Sequence, residues 1–344
     1  MKALFIGGTG LISSACARRA IADGWDLTLL TRGESRRYPI PDGAEALRAD
    51  VHGDEQALRS LLEGRMFDSV VDWIAYTPED IERDIRLFSE KTAQFIFISS
   101  ASAYQKPPAH YLVTETTPLD NPFWEYSRNK IACEERLLRE QGERGFPATI
   151  VRPSLTYGPS QIPLCVNSWR HPYTAIDRMK RGRPVIVPGD GTSLWVMTWN
   201  EDFAVGFCVL MGRREAVGEA FHITSDEVLT WNQIYRQAAQ AAGLEPRLVH
   251  VPSDLIARHD PEAVGSLLGD KSHSLVFDNT KIKSFVPAFA PAVTWSEGVR
   301  RAIAWHEAEE ERRTIDAEAN RMWDAVLGEY AKAYPASVRA AGGK

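Results

Sequence analysis

The chain has 344 residues, 44% apolar and 25% charged, with a net charge of −6. That suits one large two-lobed unit or two domains with a self-sufficient core, and it removes the need for disulfide or metal staples. The acidic balance argues against general binding to nucleic acid or an anionic membrane. Four scattered cysteines (Cys16, Cys133, Cys165, Cys208) form no C-x-x-C pair, and the eight histidines show no metal-ligand spacing. They read as the reduced thiols and unligated imidazoles of a cytoplasmic protein.

The opening residues predict a strand over 3–6 and then a glycine turn; this apolar run is too short for a signal peptide or a membrane span. Further short apolar runs follow at 26–30, 46–48, 69–74, 95–99 and 148–151. Helical spacing separates them at 12–23, 55–62, 81–92 and 126–141. Continuous apolar runs suit parallel strands covered on both faces, and crossover helices between them predict an α/β fold with a Rossmann-type doubly wound sheet. After Tyr157-Gly158-Pro159 a Pro/Trp/Arg-rich segment breaks the rhythm. A helix is expected over 200–211, a strand over 220–223, and helices over 296–306 and 316–333 around a charged, solvated stretch at 307–313. We therefore expect a dinucleotide-binding domain over 1–158, completed by about 199–225. A smaller substrate lobe with C-terminal helices is expected over 159–198 and 226–344.

Gly7-Gly8-Thr9-Gly10-Leu11-Ile12-Ser13 follows the first strand and opens the first helix, where backbone N–H groups and a helix N-terminus can meet a pyrophosphate. Gly7 and Gly10 take the first two positions of G-x-x-G-x-x-G; Ser13 replaces the third. The second strand runs into Thr31-Arg32-Gly33, with Arg36 and Arg37 close behind and no acid at its end to hold a ribose 2′-hydroxyl. Guanidinium groups suit a 2′-phosphate, so NADP is favoured over NAD. Asp50 and Val51, ending the third strand, are expected at the adenine edge, and Ile74 and Ala75, after the fourth, beside the dinucleotide.

Tyr126 and Lys130 lie four apart, on one face of a helix. A tyrosine titrates near pH ~10, and an ammonium held beside it lowers that value. With the glycine loop and the upstream serines, the pair reads as a hydride-transfer site.

Four marks stand in order: Gly7-Gly8-Thr9-Gly10, Ser99-Ser100-Ala101-Ser102-Ala103-Tyr104, Tyr126-x-x-x-Lys130, and Arg152-Pro153 followed by Tyr157-Gly158-Pro159. On these the chain resembles the extended short-chain dehydrogenase/reductase superfamily, also called the NAD-dependent epimerase/dehydratase family, from Met1 to about Ala304. The resemblance implies that Tyr126 exchanges the substrate hydroxyl proton, Lys130 holds the cofactor ribose, and Ser100 donates a hydrogen bond to the substrate oxygen. Ser99 is implied beside the nicotinamide ribose, and Pro153 against the nicotinamide. Where dehydratases of the family carry an Asp-Glu pair, this chain has Ala101 and Ser102, which disfavours elimination. Trp195 stands where epimerases place an arginine against a nucleotide diphosphate. A homodimer through the Tyr-Lys helix is a family expectation, although Ile131, Cys133 and Leu137 suit the chain's own sheet equally.

Trp195, Met197 and Trp199 alternate, so on a strand they share a face; they suit either stacking on a sugar or core packing. With Ser102, Trp124, Trp169, Arg170 and His171 they form the expected substrate set. His222 reads as a packed core histidine. Two functions stay open: an oxidoreductase or epimerase acting on a secondary hydroxyl of a sugar-like compound, and a catalytically idle dinucleotide-sensing or RNA-associated protein. The stretch 71–80 and Thr31-Arg32-Gly33 resemble a divergent branch that includes chloroplast RNA-binding members.

Overall fold

A computed structural model describes residues 1–35 and 37–334, so Arg36 lies outside the described residues. The first half alternates as its apolar runs imply. The elements are β1 (Lys2–Ile6), α1 (Ser13–Ala22), β2 (Asp26–Thr31), β3 (Glu45–Arg48), α2 (Glu55–Leu61), β4 (Ser69–Asp72), α3 (Pro78–Phe88), β5 (Phe95–Ile98) and α4 (Glu125–Arg144). Strands Ala148–Pro153 and Ala220–Ile223 complete a seven-stranded sheet in which every neighbouring pair is parallel. Its order places β1 and β4 side by side at the point where the chain reverses direction across the sheet, where ligands of doubly wound sheets collect.

Alternation along the strands splits the core. Phe5, Leu27 and Leu29 pack with Cys16, Ala17 and Phe207 on one face, while Leu4, Ile6 and Val70 pack with Ile81, Cys133 and Leu137 on the other. Cys133 and Leu137 thus face the chain's own sheet.

Element ends differ from the sequence expectation where side chains cap the backbone. β4 stops at Asp72 because the Asp72 carboxylate accepts from the N–H groups of Ile74 and Ala75 (2.6 and 2.7 Å), turning the chain. α3 starts three residues early because Asp80 accepts from the N–H groups of Tyr76 and Thr77, with Pro78 at its first turn. α4 runs on to Gly145, which at φ 73° ends it in the left-handed region.

The second lobe is assembled from small sheets. Leu194–Trp199 runs parallel to Leu155–Tyr157 and antiparallel to Val228–Thr230. Its core holds Tyr157, Trp195, Met197, Trp199, Trp231 and Trp295. The charged stretch Glu310–Arg313 has no buried residue, as its composition implies. Helix Ala317–Ala333 is pinned to the lobe by Arg178 Nη2 donating to Asp324 at 2.5 Å.

Candidate active site

The glycine turn, the loop after β4 and the start of α4 converge on one cleft of about 480 Å³, lined from Gly7 through Ser13, by Trp73, Ile74 and Tyr76, and at its far end by Ser100, Tyr126, Lys130, Pro153 and Ser154. The turn must be glycine. Gly7 and Gly8 have φ of 98° and 93°, and a Cβ on Gly8 would lie 2.7 Å from Leu29 Cδ2. Ser13, in the third glycine position, spends its hydroxyl on the Gly10 N–H (2.9 Å), while Asn200 Nδ2 donates to the Leu11 carbonyl (2.9 Å). Backbone approach at a helix start, with a cleft that continues to Tyr126, fits a dinucleotide.

Lys130 is buried and spends two donors on main-chain carbonyls, those of Ala75 and Ile98, each at 2.7 Å. Asp72 shapes the loop that presents the Ala75 carbonyl, and Arg83 is bonded to Asp72 in turn (3.3 Å). The Lys130 ammonium lies 4.7 Å from the ring centres of Tyr76 and Phe97, and 5.8 Å from that of Tyr126. One turn further along α4, Glu134 takes a hydrogen bond from Ser99 Oγ (2.5 Å) and is paired with Arg152 (2.5 Å), all three side chains being buried. Tyr126, Lys130 and Glu134 therefore share the inner face of one helix, and the buried ion pair fixes its rotation.

Electrostatics depart from the sequence reading. The protein around the Tyr126 hydroxyl pushes its pKa up to about 12; a hydrogen bond with Ser100 opposes that rise, and Tyr76 and Asp270 add to it. Burial takes Lys130 down to about 8, against the pull of Cys133, Asp72 and Glu134. Lys130 is committed to carbonyls and does not hold the phenol below its ordinary value. Ser100 Oγ is 2.9 Å from Ser102 Oγ, which accepts from buried Ser127 Oγ at 2.7 Å, so three hydroxyls run inward from Tyr126.

A second cavity, about 210 Å³, opens on the other side of Tyr126. It shares Ser100, Tyr126, Pro153 and Ser154 with the cleft and adds Ser102, Trp124, Leu155, Trp169, Trp195, Asp270, Lys271 and Phe277. The Trp124 ring lies 5.0 Å from that of Tyr126. Asp270 and Lys271 sit on a wide, π-type turn over Leu267–Lys271. That turn and the residues leading into it approach Trp124 closely: a Cβ on Gly265, just before the turn, would fall 2.2 Å from Trp124 Cδ1, one on Gly269 would fall 3.3 Å from Trp124 Cβ, and Asn121 Nδ2 bridges the Ser102 and Gly269 carbonyls at 2.8 Å each.

Of the residues expected at the site, Gly7, Thr9, Gly10, Leu11, Ile12, Ile74, Ser99, Ser100, Tyr126, Lys130 and Pro153 line the cleft. Ala75 is behind it, contributing a carbonyl to Lys130. Arg32, Asp50 and Val51 do not line the cleft. The Arg32 side chain is 63% exposed and 3.5 Å from Glu34, Asp50 caps the His52 N–H, and Val51 is buried. In the substrate set, Ser102, Trp124, Trp169 and Trp195 reach the second cavity. Met197 and Trp199 do not: they are core, Trp199 packing edge-on against Tyr157 at 5.2 Å. Arg170 and His171 border other surface clefts. His222 is packed, its Nε2 2.8 Å from the Asp278 carbonyl and its Nδ1 3.1 Å from the Tyr104 hydroxyl.

Sequence reasoning missed Trp73, Tyr76, Ile98, Ser154, Leu155, Asp270, Lys271 and Phe277. Tyr76 carried a signal, an aromatic residue just past a strand end at the chain reversal. Asp270 and Lys271 carried none, because neither spacing nor a neighbouring motif ties them to Tyr126.

The sequence model of the family described as the NAD dependent epimerase/dehydratase family matches residues 3–224. Among curated relatives, a chloroplast stem-loop binding protein of 41 kDa b from Arabidopsis thaliana is 29% identical over 72% of this chain, which spans 65% of that protein's own length. A UDP-N-acetyl-alpha-D-glucosaminuronate decarboxylase from Bacillus cytotoxicus is 27% identical over 88% of this chain and 97% of its own. The solved structure of a dTDP-glucose 4,6-dehydratase from Bacillus anthracis in complex with NAD superposes with a TM-score of 0.70, covering 90% of this chain and 98% of that one at 17% identity, and so shares the fold. No helix among the described residues is long and apolar enough to cross a membrane.

Proposed function

The chain belongs to the NAD dependent epimerase/dehydratase family, and from that footing we propose that it oxidises, reduces or epimerises a secondary hydroxyl of a sugar or sugar-like compound, using Ser100, Tyr126 and Lys130. One observation carries this reading: Ser100 and Tyr126 stand in the wall common to the dinucleotide-shaped cleft and the second cavity. A group bound in one space meets a group bound in the other only there.

A bound nicotinamide dinucleotide supplies the hydride acceptor or donor. The chain's own residues do the rest. In the reducing direction the Tyr126 phenol, pushed up to about 12, remains protonated at neutral pH and gives its proton to the nascent alkoxide. Ser100 Oγ donates to the same oxygen as its charge develops, while Ser102 and Ser127 orient that hydroxyl from behind. In the oxidising direction the base is the Tyr126 phenolate, the minor form at neutral pH, so oxidation should quicken as pH rises toward about 12; Lys130 is the buried ammonium 5.8 Å from the ring. Lys130 keeps one of its three donors for the ribose once the Ala75 and Ile98 carbonyls are served. Elimination finds no acid–base pair beside Ser100, where Ala101 and Ser102 stand.

Choice of dinucleotide rests on the end of β2. Arg32 is a cation available to a 2′-phosphate, which favours NADP; against it, Glu34, three residues past the strand and 3.5 Å from Arg32, offers a 2′-hydroxyl the acid that the strand end itself lacks. Mass spectrometry of nucleotide released from the denatured protein reads the outcome, and retained dinucleotide points to an epimerase. The test of the whole reading is Tyr126→Phe: undiminished turnover in that variant rejects it.

The likeness to the plant stem-loop binding protein supports a second reading, a nucleic-acid-associated protein on this scaffold. Salt-dependent binding of a stem-loop RNA would favour it.

A further inference from the structure

A charge imbalance flanks the second cavity, whose own lining carries Asp270 and Lys271. Lys106 and Lys271 are both buried, at 2% and 4% exposure, and Asp270 is the carboxylate between them. Asp270 Oδ1 lies 3.6 Å from Lys106 Nζ, and that ammonium also donates to the Tyr104 carbonyl at 3.1 Å. Asp270 Oδ2 stands 4.0 Å from Lys271 Nζ, whose hydrogen bond, to the Ser266 carbonyl, is long at 3.4 Å. Two ammoniums thus share one carboxylate. Lys271 is the member that lines the cavity, about 6 Å from the ring centres of Trp124 (5.9 Å) and Trp169 (6.0 Å). A buried ammonium with donors to spare is costly unless a ligand completes its shell. Its position on a π-type turn, a geometry that recurs at functional sites, points the same way.

Size and surroundings limit what carries the anion. The cavity, about 210 Å³, falls below the ~300 Å³ at which ordinary ligand clefts begin. It holds one ring-sized body between the faces of Trp124, Trp169 and Trp195. The adjoining cleft, which shares Trp124 and Trp169, is lined by one arginine, Arg170, against three carboxylates, Asp260, Glu262 and Asp316. A diphosphate extending into it meets net repulsion.

We infer that the substrate is a single sugar-like ring bearing its own carboxylate or phosphate, held by Lys271 in the cavity beside Tyr126, and not a nucleotide-linked sugar. This rests on the hydroxyl-directed redox reading above and narrows its substrate class.

The full chain with NAD is titrated with D-glucuronate, D-glucose 6-phosphate, D-glucose and UDP-glucose, read by isothermal calorimetry. One of the two small anions should bind about ten-fold or more tighter than both D-glucose and UDP-glucose, the scale of one charge-assisted hydrogen bond. Whichever of the two is tighter tells carboxylate from phosphate. Lys271→Gln should remove that margin, and Lys271→Arg should keep most of it. Matched melting and NAD affinity confirm that both variants fold. Equal binding of D-glucose, tightest binding of UDP-glucose, no binding of either anion, or an unaltered margin in a folded Lys271→Gln would each overturn the inference. Tyr126→Phe separates the two claims: if anion binding persists while NAD reduction is undiminished, the redox reading fails and the anion site stands.

Discussion

The cleft and the cavity that meet at Tyr126 are built in different ways. The cleft is made from the ends of parallel strands: the turn after β1, the loop after β4 and the serines after β5 arrive together because the sheet's hydrogen bonds align them. The cavity is made from Trp124, Trp169, Trp195, Asp270, Lys271 and Phe277, carried on two short strands, loops and a π-type turn that come from distant parts of the chain and meet through side-chain packing. One pocket is inherited from backbone geometry and the other is assembled from side chains. Backbone-built sites tolerate little change in the chain that forms them, whereas side-chain-built sites can change specificity and leave the fold intact.

The sharpest break removes the group common to both. Tyr126→Phe should lower kcat by about 10²–10⁴-fold, the usual range for a lost acid–base group, with dinucleotide affinity nearly unchanged by calorimetry. A drop under ten-fold would separate the two spaces functionally. Next is the pair that sets the rotation of α4. Arg152→Met leaves Glu134 buried without its partner and should cost about 3–5 kcal/mol in chemical denaturation. A loss below about 1 kcal/mol would mean that the helix is held by its apolar face alone.

Lys130 tests the cleft by pH. Its folded value of about 8 lies below the ordinary ~10.4. Between the two, the unfolded chain binds more protons, so the penalty of burying the ammonium is full below about pH 8 and is relieved as pH rises. Wild type should therefore gain about 1–3 kcal/mol over Lys130→Met between about pH 7.5 and about pH 10. A constant difference would show that the ammonium is solvated.

The cavity can be disturbed alone. Gly265→Ala forces Trp124 aside, since the new Cβ would lie 2.2 Å from its ring. We expect KM to rise about ten-fold, at about 1–3 kcal/mol of overpacking, with dinucleotide affinity unchanged. The smallest effect belongs to Trp169→Ala at the rim, where the side chain is already 55% exposed. There KM should rise a few-fold at constant melting temperature, and a falling kcat would place Trp169 nearer the chemistry than the rim.

Much of the cleft could be read before the fold was seen. Gly7, Gly10, Ser100, Tyr126, Lys130 and Pro153 each sit at a strand end or on a helix with a period, so local pattern predicts their neighbours. The same logic points to Arg32, Asp50 and Val51, which do not line the cleft: Asp50 caps the His52 N–H, Val51 is buried and Arg32 faces Glu34. The alternation of Trp195, Met197 and Trp199 was also legible. Which of them reaches open space was not, and Leu194–Trp199 exposes only Trp195 to the cavity.

The sequence by itself determined the doubly wound sheet, its glycine turn and the Tyr-Lys face of α4, because these follow from periods of two and 3.6 residues and from the φ that glycine alone adopts freely. Only the tertiary structure decided the charge state around Tyr126 and the place of Asp270 and Lys271. Desolvation and long-range pairing depend on what surrounds a group in space, and Lys271 comes to stand beside Tyr126 solely through the packing of the π-type turn against Trp124.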